Sequence, residues 1–350
     1  MLILTIIIFL FTIGLLVMVH EFGHFIMAKR AGVEVQEFAF GFKPTIWKKK
    51  IKETTYAINA IPIGGYCAML GEEEHINHPK SFSNASVWNR IKIVTFGVIL
   101  NLVLAWVLMT IWFWVLPSEL PNQIVITGVE KGYPAQLVDI RANDFIININ
   151  DQVFSSAEDV TKYNIAHSGE KIVIKIKRFN KEIVKEATLS NNATAPLGIS
   201  MAETGGKINK GPWYTAPIEA IKEIGSVIWL NLLFIWKLIS SVFTSVKAPT
   251  EAVSGPIGVF ALLYQVVGFG WLYVLRFIAL LSIVIGFFNI LPLPALDGGR
   301  LVFLVLEGIG GKKVVKSEVE NFLHWLGFIF LLILMALVTY QDIIKWIMNR

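Results

Sequence analysis

His20, Glu21 and His24 are the residues whose types and spacing most plainly promise chemistry. Histidines four residues apart share one face of a helix, so both imidazoles can reach a single metal ion. A His-Glu-x-x-His pentad on a helix is a zinc signature, and its glutamate is placed to act as general base for the attacking water. The setting sharpens this reading. Met1–Val19 contains no charged side chain, which is the length and character of a membrane-spanning helix. Ionisable groups inside a membrane are costly, so three clustered at the end of such a helix point to function.

Two histidines do not complete a catalytic zinc site, which takes three protein ligands and keeps a fourth position for water. Asp297 is the best third ligand. It ends the run Asn289-Ile-Leu-Pro-Leu-Pro-Ala-Leu-Asp297 and precedes Gly298 and Gly299. The two prolines remove backbone donors and break a helix. A carboxylate offered from a broken helix end at membrane depth suits backbone that lines a protein cavity. The competing role for Asp297 is the N-cap of a helix over 300–306. A second cluster, Glu72, Glu73, Glu74, His75 and His78, lacks helical spacing and reads as a solvated acidic loop. Cys67 is the single cysteine; it excludes an intrachain disulfide and reads as a small apolar filler.

The elements that must position these groups follow from composition and pattern. The chain has 350 residues, of which 16% are charged, and a mean hydropathy of +0.61, outside the range of ordinary soluble proteins. The net charge of +5 is spread along loops, which favours a lipid bilayer surface and gives no dense basic stripe for nucleic acid. Residues 1–30, with no basic leader or Ala-x-Ala cleavage site, are expected to be a retained first transmembrane helix. Residues 31–92 read as a membrane-associated β-loop and a surface segment. Phe38–Phe42 and Thr54–Ile61 alternate like strands, Pro44, Pro62, Gly64 and Gly65 break them, and Lys48–Lys50 are expected at the turn. Residues 93–116 form a second span whose only strongly polar residue is Asn101.

Over 123–204 the apolar runs shorten to strand length and alternate, enough for one small domain. Gly132-Tyr-Pro-Ala135, followed by Asn143-Asp144-Phe-Ile-Ile-Asn-Ile-Asn150, resembles a PDZ domain. Asn143 stands where a glycine is usual and tolerates left-handed backbone. Such domains take an extended peptide as an added strand. Residues 211–268 are expected to be amphipathic or surface segments, 271–300 a third span carrying Asn289 and Asp297, and 322–345 a fourth. The expected class is a polytopic α-helical membrane protein with about four transmembrane helices, a membrane-associated β-loop and an inserted extracytoplasmic PDZ-like α+β domain.

Topology supplies a test. The cationic Lys29 and Arg30 and the lysine-rich 29–92 loop place the inner end of span one at the cytoplasmic side. Asp297 must emerge on that side to meet His20 and His24. With span two running outward, a span over Trp271–Leu291 delivers Asp297 correctly only if the apolar run Ile224–Val246 does not cross. That run is therefore expected to lie on the outer surface.

With these residues in hand, the chain resembles the site-2 proteases of the bacterial regulator-of-sigma-E type over nearly its whole length. His20–His24 matches the family's zinc motif, and Asn289 through Gly298 its second signature. Ile61-Pro-Ile-Gly-Gly-Tyr66 resembles the end of its β-loop, and Ser254-Gly-Pro-Ile-Gly258 a stretch before its third span. Two motifs depart: Gly41-Phe-Lys-Pro44 and Gly97-Val98 stand for Gly-Phe-Gly-Pro and Gly-Pro. The resemblance implies intramembrane proteolysis in the bacterial inner membrane. Zinc would be held by His20, His24 and Asp297 towards the cytoplasmic side, and Glu21 would be the catalytic base. The substrates would be single-span membrane proteins, such as anti-sigma factors or remnant signal peptides, with a peptide ligand for the PDZ-like domain. It further implies substrate binding by Asn289 and, along the β-loop, by Gly64, Gly65 and Tyr66. Two other readings compete: a membrane-embedded zinc protease of misfolded or soluble chains, and a PDZ-bearing membrane scaffold. The proline-flanked aspartate argues against the first, and the intact Glu21 against the second.

Overall fold

The computed structural model describes all residues except 73, 75, 117, 118, 179, 180, 192, 193, 208–210, 244–253, 312–314, 316, 349 and 350, and except the side chains of 63, 119–122, 204–207, 242, 317 and 345–348. Glu73 and His75 of the acidic cluster therefore lie outside the described residues. In chain order the elements are α1 (Leu2–Arg30), β1 (Val35–Ile51), β2 (Thr54–Met69), α2 (Val87–Val115), β3 (Glu119–Val129), α3 (Pro134–Leu137), β4 (Phe145–Ile149), α4 (Ala157–Ala166), β5 (Lys171–Arg178), β6 (Lys181–Thr188), β7 (Ile199–Lys207), α5 (Ala216–Phe243), α6 (Pro256–Phe269), α7 (Trp271–Ile290), α8 (Asp297–Gly310) and α9 (Ser317–Met348). They form two units, Met1–Trp114 with Trp213–Arg350, and Val115–Pro212.

In the first unit, five helices among the described residues are long and apolar enough to cross a membrane: Leu2–Arg30, Val87–Val115, Trp213–Ser241, Trp271–Ile290 and Glu318–Ile344. Length and composition thus admit one more span than the four expected, and the extra one is the run assigned to the surface. Helix α1 stops where Gly32 turns left-handed at φ +76 and the Val33 N–H returns to the Ala28 carbonyl at 2.9 Å, a glycine stop that satisfies the last carbonyls.

The β-loop is a curled ribbon. Glu37–Phe40 pairs on one side with Gly65–Ala68, running antiparallel, and on the other with Thr55–Ile58, running in the same direction. Lys48–Lys50 lie inside the ladder opposite Thr55–Ala57 rather than at its turn. The chain reverses further on, at Lys52 with φ +54, because ladder pairing continues past the lysines to Ile51 opposite Thr54. Beneath the histidines, Ala28, Val35, Cys67, Met69, Ile93 and Leu304 form a buried apolar cluster that joins α1, the ribbon, α2 and α8. Burial there pushes the Cys67 thiol up from its ordinary value, so the expected filler role fits.

The second unit is a five-stranded sheet in the order β6-β5-β4-β3-β7. Its core is aliphatic, with Ile126, Ile149, Ile172, Ile174 and Ile176 fully buried beside Val160 of α4. Ser156 caps α4 by accepting from the Asp159 N–H at 3.0 Å. Asn143 adopts φ +71, the left-handed conformation that its place in the motif required. Asp144 is buried. It accepts from Arg178 Nε at 2.6 Å and Nη2 at 2.7 Å, and from the Arg141 N–H at 2.8 Å.

Candidate metal centre

One half of the centre sits where α1 crosses α2. Gly23 of the pentad packs directly on α2: a Cβ there would lie 2.5 Å from the Phe96 carbonyl oxygen and 2.7 Å from the Gly97 Cα. A Cβ on Gly97 would in turn lie 2.6 Å from His24 Nε2 and 2.9 Å from His20 Cε1. Two glycines thus let the helices approach until the imidazoles press on bare α2 backbone. His20 and His24 are both buried. His24 Nδ1 lies 2.9 Å from the Ile93 carbonyl oxygen. A carbonyl can only accept, so Nδ1 holds a proton, and in the neutral ring, the form that binds a metal, Nε2 presents a lone pair.

The other half arrives from far along the chain. Asp297 Oδ2 lies 2.8 Å from His20 Nε2 and 3.3 Å from His24 Nε2, and the two Nε2 atoms are 3.1 Å apart. Asp297 is the first residue of α8, after the break Leu291–Leu296. Gly298 and Gly299 are needed for clearance rather than for the turn. A Cβ on Gly298 would sit 2.1 Å from the Leu291 carbonyl oxygen, and one on Gly299 2.5 Å from that of Leu293. The left-handed residue in the break is Ala295, at φ +76. Helix α8 is then tied down at two points. Arg300 pairs with Glu72 at the exit of the β-loop. Glu307 accepts from Arg90 Nη1 at 3.1 Å and Nη2 at 2.5 Å. Glu72 is thus an ion-paired strut and not part of a solvated loop; Gly71, at φ +69, turns the chain to bring it there.

Asn101 stands beside His20. Its Nδ2 is 3.4 Å from His20 Nδ1, while its Oδ1 is buried without a partner. Exchanging the two amide atoms lets Oδ1 accept from the His20 Nδ1–H. Both histidines then point bare Nε2 atoms at a carboxylate oxygen, and the candidate ligand atoms of all three residues lie within 4.8 Å of one another. Electron-pair donors gathered this closely with no proton between them repel unless a cation sits among them. Two imidazole nitrogens and a carboxylate oxygen are a zinc donor set, so the residues present fit that ion. Glu21 is half-buried and close enough for charge interaction with His24, His20, Asp297 and Glu72.

Of the other residues singled out by sequence, Gly64, Gly65 and Tyr66 lie on β2 against α1. A Cβ on Gly65 would sit 3.0 Å from Met18 Sδ, two residues before His20. Asn289 is half-buried in the last turn of α7, and the hydrogen bonds described at the centre do not include it. Sequence reasoning missed Asn101, whose signal was its place as the lone strongly polar residue of an apolar helix. It also missed Arg300, which carried no local signal.

Comparison with known proteins bears on this site. A model of peptidase family M50 matches residues 8–334. A Clostridium acetobutylicum protein whose name predicts a zinc metalloprotease is 34% identical over 97% of this chain and 97% of its own length. The regulator of sigma-W protease RasP of Bacillus subtilis is 28% identical over 97% of this chain and 98% of its own, and the zinc metalloprotease RasP of Bacillus licheniformis likewise matches at 28%. Among solved structures, the PDZ domain of an SdrC-like protein from Listeria monocytogenes covers 23% of this chain and 86% of that one, at 23% identity and a TM-score of 0.21. A score that low leaves the character of the 115–212 unit to its own strands and motif.

Proposed function

The chain belongs to peptidase family M50 and is a zinc metalloendopeptidase built as a multi-pass membrane protein, and from that premise we propose that it cuts peptide bonds within or beside the transmembrane segments of single-span proteins. The observation that carries the proposal is the depth of the centre. His20 and His24 lie on an apolar helix, packed on a second one through Gly23 and Gly97, and meet Asp297 there. A protease acting only on soluble chains has no need of a site set between spans.

His20, His24 and Asp297 hold the ion in this reading. Zinc bound there supplies Lewis-acid polarisation of the scissile carbonyl and acidifies water. Glu21 takes the proton from the attacking water and returns it to the leaving amine. Asn101 keeps the His20 ring in its tautomer, and the Ile93 carbonyl does the same for His24, as the outer partners of metal-bound histidines do. A helical substrate must unwind before its peptide bonds are reachable, and its freed backbone groups then need partners. The edge of Gly65–Ala68 opposite Phe38–Phe40 has no strand partner among the described residues and runs along α1, so it suits an added substrate strand. Asn289 is kept as a contact for substrate backbone.

The proposed topology puts the centre on the cytoplasmic side of the bacterial inner membrane, with the PDZ-like unit outside to receive a peptide. Contacts at the far end of the bundle support the surface placement of α5. Its entry is tied to the end of α2, where Trp114 Nε1 donates to the Trp213 carbonyl at 2.7 Å and Trp106 Nε1 to that of Pro217 at 3.1 Å. Glu223 pairs with Arg276 near the start of α7 at 2.8 Å. The segment that follows α5 resumes at the same end: Asp342, near the close of α9, accepts from the Gly255 and Gly258 N–H groups at the start of α6 at 2.9 and 2.7 Å.

The test is direct. In a reconstituted assay with a model single-span substrate, Glu21→Gln should abolish cleavage and leave bound zinc unchanged. Cleavage at the wild-type rate would sink the assignment. Cysteine accessibility along 224–243 should label both ends from one side of the membrane; labelling from opposite sides overturns the topology.

A further inference from the structure

The connection from α7 to α8 must turn sharply and still present Asp297 accurately, and most of its backbone offers little to hold it. Pro292 and Pro294 have no N–H to give. The Leu293 and Leu296 amides bond locally, to the Leu291 and Leu293 carbonyls at 2.7 and 3.2 Å. Ala295 is different. Its φ of +76 is a conformation that Cβ-bearing residues resist and keep only where the surroundings impose it. Its N–H leaves the connection altogether and donates to Nδ1 of His324, on α9, at 3.0 Å.

We propose that His324 is a positioning residue for the metal centre: its Nδ1 pins the left-handed backbone of Ala295, which aims the Asp297 carboxylate between His20 and His24. Three observations carry this. The Ala295 amide bond is made two residues before the ligand, at the one left-handed residue of the break. The helix that supplies the acceptor is pressed onto the same loop, since a Cβ on Gly327, one turn from His324, would lie 2.5 Å from both the Pro294 carbonyl oxygen and its Cβ. His324 Nε2 is buried with no partner. The imidazole accepts at Nδ1 while its other nitrogen bonds nothing, so the Ala295 bond is the one its ring makes among the described residues. Phe303 of α8 stands edge-on to the ring, 6.3 Å between centroids, so the ring also touches the helix that Asp297 begins. Helix α9, whose apolar stretch faces outward, therefore takes part in the active centre through one turn.

This inference rests on Asp297 being a zinc ligand. The experiment uses the full chain purified in detergent, and reads zinc affinity by competition with a chelator and the absorption spectrum of the cobalt(II)-loaded protein. His324→Phe keeps the volume and removes the acceptor; zinc affinity should fall about 10–100-fold, the usual cost of losing an outer-shell partner, and the cobalt spectrum should change. His324→Asn carries an acceptor oxygen the same number of bonds from the backbone as Nδ1, and should keep affinity near wild type. Ala295→Gly accepts φ +76 without strain, so adding it to His324→Phe should restore most of the lost affinity. Wild-type affinity in His324→Phe overturns the proposal, as does an equal loss in His324→Asn. If His324→Phe alone cannot be purified, the double variant decides: near-wild-type affinity supports the proposal and weak binding overturns it. Asp297→Asn, measured in parallel, separates the two failures. Normal affinity there removes the ligand assignment and the positioning role with it. Weak affinity there beside normal affinity in His324→Phe overturns the positioning role alone.

Discussion

The two halves of the metal centre are held in opposite ways. The histidine half is fixed locally: one helix sets the spacing of His20 and His24, and two glycines set how closely α2 approaches them. The aspartate half is fixed from a distance. Asp297 follows a strained break, and its helix is secured by Glu72 on the β-loop, Arg90 on α2 and His324 on α9. The contrast suits the chemistry. On the proposed function a substrate helix enters between spans, and an aspartate carried by a separately anchored segment can be kept in place while neighbouring helices make room. The histidine half should accordingly fail by steric exclusion and all at once. The aspartate half should fail by degrees, as its anchors are removed one at a time.

The largest effect should come from Gly97→Leu. Its side chain would occupy the space of both imidazoles, and metal analysis of the purified protein should find no bound zinc. A stoichiometry near one would show that α1 and α2 can separate without cost and would break the contrast. Asp297→Asn should come next, with zinc affinity lowered by more than the ~10–100-fold that outer-shell losses produce. Glu72→Gln should be milder. It leaves Arg300 a neutral acceptor, and a chelator titration should find zinc weakened by roughly tenfold; a loss as large as that of Asp297→Asn would mean that the anchors act as one unit. Arg178→Met in the 115–212 unit should leave zinc affinity unchanged. Its effect is on that unit alone, where stranding the buried Asp144 carboxylate should cost ~3–5 kcal/mol, read by hydrogen exchange of β4 and β5 amides in the full chain. The smallest effect is on pH dependence in the same unit. Partial burial pushes the Asp139 carboxyl up, but hydrogen bonds and charge from Arg141 and Arg178 outweigh it and hold it below its ordinary value. The stability it contributes should be present above about pH 4 and lost as pH falls through the lowered value, visible as faster exchange near Asp139 in acid.

Much of the centre was legible before any fold was known, and particular residues say why. The histidine spacing is a property of a single helix turn. Asp297 was marked by its prolines and glycines, though the glycines turned out to serve close packing of α8 on the end of α7, while the left-handed residue was an alanine that no propensity singles out. Asn143 was readable as a left-handed position because its neighbours formed a pattern. Lys48–Lys50 are expected at a turn because charge suggests a loop, whereas they pair within the ladder between Trp47 and Ile51, a placement that no apolar alternation marks.

The sequence by itself determined the His-Glu-x-x-His pentad, the aspartate proposed to complete its metal site, the apolar helices and the β-rich insert. Each of these is written in short-range spacing or in composition, and short-range spacing maps directly onto helix faces and strand faces. Only the tertiary structure decided how the aspartate is held. Glu72 and Arg300 stand 228 residues apart, and Ala295 meets His324 across the start of another helix. A partly buried ion pair or a single backbone hydrogen bond between distant elements leaves no periodic trace in either partner's neighbourhood. It becomes visible only when packing has brought the two together.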